Sequence, residues 1–415
     1  MKFKRGLFFI GLTAMVAVLA AGCGRSAQGA SDKQVTLAIN YYNGAISKAA
    51  IANTKAQFPK YKLQFKQVPS NEDFDTKLKA SLGAKSAPDI TAINDNIDDY
   101  LPYKDKFVNL QDYGTKDLAK DYVDWKWQST MGAKGYQIAM PIDIGPTALM
   151  YNVAAFQKAG LPTDPEQVSA MIKTDADYMK AADQVKTNAK MPMFLSTVAL
   201  FEDREQKVTK DLFKNGKLSL ADGQLKEAWD FAIAAHEKGY TLDVKNSGSD
   251  SVNAQQKGLF GAMIKPSWSV EDLKENGVKP GEWLVAAAPG AASNAGGSYL
   301  AALKTTAHPK EAAEVIKYLT NEKNQRANFK ELSLFPSNKK AYDDKFKATT
   351  NELFGNEQYN KYFIESANKR KYFRADPRSS AVQRIFEDQM QLIQDQNKKP
   401  AQAWKDAVKK AQQVD

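Results

Sequence analysis

At 415 residues the chain is too long for one ordinary domain, and a 43% hydrophobic share with six Trp and 20 Phe supplies two sizeable cores. The 26% charged content and a mean hydropathy of -0.52 mark a soluble, well-solvated surface. The net charge is +10, but Lys residues are scattered among Asp and Glu with no Arg stripe interleaved with exposed aromatics, which speaks against nucleic acid as a partner.

The N-terminus stands apart. Lys2, Lys4 and Arg5 precede an apolar and small-residue run from Gly6 to Gly22, the layout of an export signal over 1–22 and short for a permanent membrane span. Losing those three cations lowers the charge from +10 to +7. The run ends in Leu19-Ala20-Ala21-Gly22-Cys23, and Cys23 is the sole Cys. This resembles the lipobox of bacterial lipoproteins, whose Cys is diacylated, although that family prefers Leu where Ala20 stands. One Cys excludes an internal disulfide, so the core alone must stabilise an exported fold. The small, polar residues of 23–32 read as a tether.

Next comes a β-α-β-α-β pattern. Val35–Ile39 is a short strand ending in the polar, aromatic turn Tyr41-Tyr42-Asn43-Gly44. Ile46, Ala50 and Ile51 suit a helix that stops by Pro59, and Leu63, Phe65 and Val68 mark a second strand. Ser70 and Asp73 read as a capping pair, with Phe74, Leu78 and Leu82 on one helical face and Gly83 as the stop. Ile90–Ile93 is the third strand, followed by Asn94-Asp95-Asn96. The pattern predicts a parallel sheet, with both polar turns at the carboxyl ends of its strands, where such sheets bind ligands.

Met140–Asn152 is the pivot. Asp143 stands between two isoleucines, and a buried carboxylate is costly unless something binds it. Gly145-Pro146 interrupts the apolar run, which suits a chain leaving one sheet for another. Beyond it a second α/β unit begins. Asn152 caps a helix to Gly160, and Tyr178, Ala182 and Val185 mark another. Met191–Leu195 reads as a strand and Phe201-Glu202-Asp203 as a loop with an aromatic and two carboxylates. Leu225, Trp229 and Ile233 recur at helical spacing, so Trp229 reads as core; Asp243–Asn253 reads as a loop. Gly258–Lys265 is a strand ending in Pro266-Ser267-Trp268-Ser269, where an exposed Trp could stack on a sugar face. Trp283–Ala288 is a strand ended by Pro289, and Tyr299–Leu303 follows Gly296-Gly297-Ser298. Pro309 opens a helix to Leu319, and Leu332–Phe335 is ended by Pro336. After the basic aromatic loop Tyr372-Phe373-Arg374, two amphipathic helices, Val382–Ile393 and Ala401–Val414, turn Trp404 and Val408 inward.

In order and spacing, Asn71–Asp95, Pro141–Asn152, Gly261–Trp268, Ala288–Tyr299 and His308–Leu319 together resemble the family-1 extracellular solute-binding proteins of ABC importers, the group that includes maltose-binding protein. The resemblance implies an α/β, two-lobed periplasmic-binding-protein-like fold. Each lobe would be a mixed, mostly parallel sheet flanked by helices, with lobe 1 from 33–144 and 289–336 and lobe 2 from 145–288 and 337–415. Three crossings at Gly145, Pro289 and Pro336 would form the hinge. It further implies a monomer lipid-anchored through Cys23 on the extracytoplasmic face of a bacterial membrane, delivering a carbohydrate to permease subunits without a cofactor or metal. The expected ligand residues are Tyr41, Tyr42, Asn43, Asp95, Asp143, Phe201, Trp268, Ser298, Tyr299 and Arg374. The family's first turn often carries Trp where Tyr41-Tyr42 stands here, which leaves the sugar open. Two rivals remain at this point. A surface glycoside hydrolase would use two carboxylates, but no nucleophile elbow, metal-ligand cluster or phosphate loop stands in the sequence. Ferric iron on Tyr41 and Tyr42 would need adjacent side chains to point the same way.

Overall fold

The computed structural model describes residues 34–69, 72–220 and 223–414. The export signal, Cys23, the tether and Ser70 of the expected capping pair lie outside the described residues. Strands β1 (Thr36–Tyr42), β2 (Lys62–Val68) and β3 (Ile90–Ile93) stand at the β-rich runs, joined by helices Lys48–Gln57 and Glu72–Ser81. The first of these helices begins where the Ser47 hydroxyl accepts the Ala50 N–H at 3.1 Å. β2 and β3 both pair parallel to β1.

The chain continues through β4 (Met140–Pro141), β5 (Asp143–Ile144) and β6 (Thr147–Asn152). A small hairpin, β7 (Phe213–Lys214) and β8 (Lys217–Leu218), precedes β9 (Ala262–Pro266) and β10 (Trp283–Ala286). Last come β11 (Tyr299–Ala302) and β12 (Phe335–Pro336). One sheet has five strands in the order β2-β1-β3-β11-β4, and a second has three in the order β10-β6-β9. β11 is antiparallel to β3 and β4, so the first sheet is mixed. Both pairings of the second sheet are antiparallel, against the expectation of mostly parallel strands. Apolar runs locate strands without setting their direction. The helical excursion between β6 and β9 is long enough to return the chain from either end.

β6 is buried along its whole length, as a strand covered on both faces must be. Leu149 and Tyr151 face a core shared with helices Gln224–Glu237, Ser379–Gln396 and Pro400–Ala411; Ala148 and Met150 face another with Phe260, Trp283 and Phe335. Trp229 is core, its ring 6.1 Å from Phe386 and 5.3 Å from Trp404. Other segments differ from their sequence reading. Phe201-Glu202-Asp203 is no loop but part of helix Thr197–Glu205, which Ser196 caps through the Ala199 N–H. Ser249–Gln256 is also helical, overlapping the second half of the expected 243–253 loop. Of Met191–Leu195, only Phe194 bridges like a strand, to Thr241.

Three segments connect the two sheets and their cores, and they lie side by side. Asp143 and Ile144 pair with Pro336 and Phe335. The Gly145 N–H donates to Asn294 Oδ1 at 2.7 Å, and the Ala295 N–H donates to the Gly145 carbonyl at 2.8 Å. Gln325, on helix Glu322–Leu332, is fully buried and ties two of them. Its amide donates to the carbonyls of Pro141 and Thr320 and to Ser337 Oγ, at 3.2, 2.8 and 3.0 Å, while its oxygen accepts the Asn338 N–H at 2.8 Å. Gln325→Leu keeps the volume but strands these groups. It should cost about 3 kcal/mol, read as a lower urea midpoint; an unchanged midpoint would show the knot to be dispensable.

Candidate functional site

Parallel strands deliver their carboxyl ends to one side of a sheet. β1 ends there in Tyr42, β3 runs on into Asn94 and Asp95, and antiparallel β11 begins there, with Tyr299 opposite Ile93. Successive side chains of a strand point to opposite faces. Tyr41 therefore packs inward, 6.3 Å from the Phe65 ring, while Tyr42 turns the other way, 5.6 Å from Phe74, its hydroxyl donating to Asn94 Oδ1 at 3.2 Å. Asn43 lies outside this group and accepts from Gln67 Nε2 at 3.0 Å. The two phenols diverge, and no group of three or more His, Cys, Asp or Glu among the described residues could hold a metal ion.

Beneath the strand ends lies a buried charge cluster. Asp143 is 2% exposed and accepts from both the Ser298 N–H and hydroxyl at 2.7 Å. Its carboxylate braces β11 against the first connection instead of opening into a cavity. Lys126 is 1% exposed, its Nζ 3.6 Å from the centre of the Tyr299 ring, and the Tyr299 hydroxyl pairs with Ser129 Oγ at 2.8 Å. Burial pushes Asp143 above the usual carboxylate range and Lys126 down to about 7, each opposed by its attraction to the other. Asp95 is exposed in the cleft, and the protein around it likewise pushes its carboxyl up by desolvation against the pull of Lys126.

Glycines form the floor. A Cβ on Gly145 would sit 2.5 Å from the Trp268 ring, and one on Gly297 2.7 Å from the Asp143 carbonyl oxygen and 3.0 Å from Lys126 Nζ. Gly296, at φ +140°, is the link: its missing Cβ lies 3.2 Å from the Trp268 ring and 3.9 Å from Asp95 Oδ2. Trp268 and Asp95 thus flank one bare stretch of backbone. Half-buried Trp268 precedes helix Ser269–Glu275 and lines a cavity of about 500 Å³ with Lys265, Asp272 and Ala295. Asp95 lines a cleft of about 1030 Å³ with Tyr42, Asn94, Glu205 and Glu387, and a smaller pocket of about 130 Å³ with Tyr299, Arg370 and Phe373.

Of the expected residues, Tyr42, Asp95, Trp268 and Tyr299 line these cavities, with Asp143 and Ser298 directly beneath. Phe201 lies elsewhere, fully buried with its ring 5.8 Å from Trp229. Arg374 holds the Met131 carbonyl and, at 3.0 Å, the Tyr372 hydroxyl, while its neighbour Phe373 lines the smaller pocket. Pro289 receives Lys207 Nζ on its carbonyl at 2.7 Å, whereas the contacts to Gly145 come from Asn294 and Ala295. Sequence reasoning missed Lys126, Asp98, Glu205, Arg370 and Glu387. Only Lys126 carried a local signal, a cation between Trp125 and Trp127, both of which pack inward.

The profile of the bacterial extracellular solute-binding proteins matches residues 49–355. No curated protein matches the chain. Among solved structures, an extracellular solute-binding protein of family 1 is similar, with a TM-score of 0.85 and 28% identity over 92% of this chain and 99% of that one. The sugar-binding protein MalE from Xanthomonas citri has a TM-score of 0.72 at 17% identity, over 92% and 97% of the two chains. The ABC transporter associated binding protein from B. animalis subsp. lactis Bl-04, in complex with beta-1,6-galactobiose, has a TM-score of 0.68 at 23% identity over 91% and 97%. The last two share the fold.

Asp98 gives the site a pH signature. It lines the smaller pocket, its Oδ1 has no hydrogen-bond partner, and burial pushes it up to about 6 against the pull of Arg374. A carboxyl raised on folding contributes stability below its unfolded value near 3.8 and loses it as pH rises through about 6. Asp98→Asn should therefore stabilise the protein by about 1 kcal/mol at pH 7.5 and leave it unchanged or weaker at pH 4. Thermal unfolding at both values tests this; equal effects would refute the buried-charge account.

Proposed function

The chain belongs to the bacterial extracellular solute-binding proteins, a non-catalytic family, and from that premise we propose that it is the carbohydrate-binding component of an ABC importer. It captures an oligosaccharide around Asp95 and Trp268 and delivers it to the membrane permease. The observation that carries this reading is the pairing of an indole with a carboxylate across the bare backbone of Gly296. A pyranose offers an apolar face and a rim of hydroxyls, and it needs an aromatic platform and hydrogen-bond acceptors set at its edge. Trp268 supplies the platform; Asp95 and Asn94 supply the acceptors, with Tyr42 and Tyr299 as walls. Two structural relatives support the ligand class, one described as sugar-binding and the other bound to a galactobiose.

Capture works by closure. The five-stranded sheet marks a lobe built from 33–144 and 289–336, and the three-stranded sheet a lobe from 145–288 and 337–415. Gly145, Pro289 and Pro336 serve as the hinge points between them. A solute held by one lobe gains contacts with the other only in the closed form, and that difference in affinity shifts the equilibrium. The permease reads the closed form. The mature protein is a monomer anchored by lipid at Cys23 on the outer face of the membrane, and it needs no cofactor.

A ligand that binds only the folded state raises the melting temperature. In a thermal-shift screen of mono- and oligosaccharides, at least one oligosaccharide should raise it for the wild type. Trp268→Ala should lose that shift while still melting cooperatively. A shift from ferric salt or a peptide and from no sugar would overturn the carbohydrate assignment, and an undiminished shift in Trp268→Ala would remove Trp268 from the site.

A further inference from the structure

The wall of the large cleft opposite Asp95 carries an arrangement that binding of neutral hydroxyls does not require. Helices Thr197–Glu205 and Ser379–Gln396 pack together, which places Glu202 and Glu205 on one helix beside Glu387 on the other. Glu205 and Glu387 both line the cleft. Glu202, one turn before Glu205, accepts from Asn246 Nδ2 at 3.2 Å. Glu205 is 7% exposed, and its Oε2 is buried without a hydrogen-bond partner.

Each feature of this cluster costs stability. Carboxylates one turn apart on a helix repel. Both stand in the helix's last turn, where the backbone dipole presents its negative end. The charges acting on Glu205 are Glu387 and Glu202, both negative, and together with burial they push it well above the usual carboxylate range; Glu202 rises to about 7. No cation among the described residues forms an ion pair with Glu205. Lys265 acts on Glu202 but not on Glu205, and Arg384, one turn before Glu387, is an exposed residue of the cleft lining. A buried oxygen with no partner, on a wall of like charge facing open space, is complementary to a cation brought by the ligand.

We propose that Glu202, Glu205 and Glu387 form a subsite for a cationic group of the solute, an ammonium carried by an amino sugar. This rests on the carbohydrate reading and narrows it to sugars bearing a free amine. The ammonium donates to Glu205 Oε2 and to Glu387, and its positive charge offsets the negative charge of that wall. Uronates and sulfated sugars are repelled.

The test compares chitobiose, two β-1,4-linked glucosamines, with its neutral counterpart cellobiose by calorimetry at pH 7. Chitobiose should bind the wild type at least tenfold more tightly, and the ratio should fall towards one in the Glu205→Gln/Glu387→Gln double variant. Glu387→Gln alone should give an intermediate ratio and guards against misfolding of the double variant. Equal or tighter binding of cellobiose, or a preference that survives in the variants, overturns the subsite while leaving the carbohydrate reading intact. If neither disaccharide binds, spermidine decides: binding lost in the double variant upholds the cation subsite without the sugar, and no binding overturns it.

Discussion

Lack of room at three glycines is the constraint on which the rest of the site depends. A Cβ on Gly145 would strike the Trp268 ring and one on Gly297 the Asp143 backbone, while one on Gly296 would press on the same indole. Bare backbone there lets the chain's first and second passages between the sheets run in contact. It also lets Trp268 from the second sheet approach Asp95 from the first. Asp143 secures the same junction from below by holding Ser298 through two short hydrogen bonds. A side chain at Gly145 or Gly297 would push apart the passages that these hydrogen bonds hold together.

Electrostatics at the site run against stability. Asp98, Asp143, Glu202 and Glu205 all rise above ordinary carboxylate values through burial, and Lys126 falls. A chain selected for stability alone would fill these positions with apolar residues, because a buried ion pair seldom outperforms good packing. Their presence in and beneath the cavities that Asp95 lines fits a molecule whose binding competence carries a stability cost borne by its cores. Those cores are substantial, with Trp229, Phe386 and Trp404 closing one side of the second sheet and Phe335 the other.

Periodicity made much of the fold legible. Ile90–Ile93, the Asn152 cap, the Leu225–Ile233 face and the paired C-terminal helices stand where apolar spacing and capping residues put them. Strand direction in the second sheet was not legible, because it depends on how helical excursions return and not on any local pattern. The helix at Thr197–Glu205 was obscured by its acidic end, which reads as loop when the packing against Ser379–Gln396 is unknown. Strand ends followed by polar residues made Tyr42 and Asp95 visible, and Trp268 stood out beside its turn. Glu205 and Glu387 act through each other across a long stretch of sequence, and nothing next to them in the chain announces it.

Closure around a solute is the central claim, and small-angle X-ray scattering tests it most directly. The mature protein is measured alone and with a saturating oligosaccharide chosen for its effect on melting. A smaller radius of gyration with sugar, reversed on its removal, is the predicted result. An identical scattering curve with the site fully occupied would contradict capture by closure.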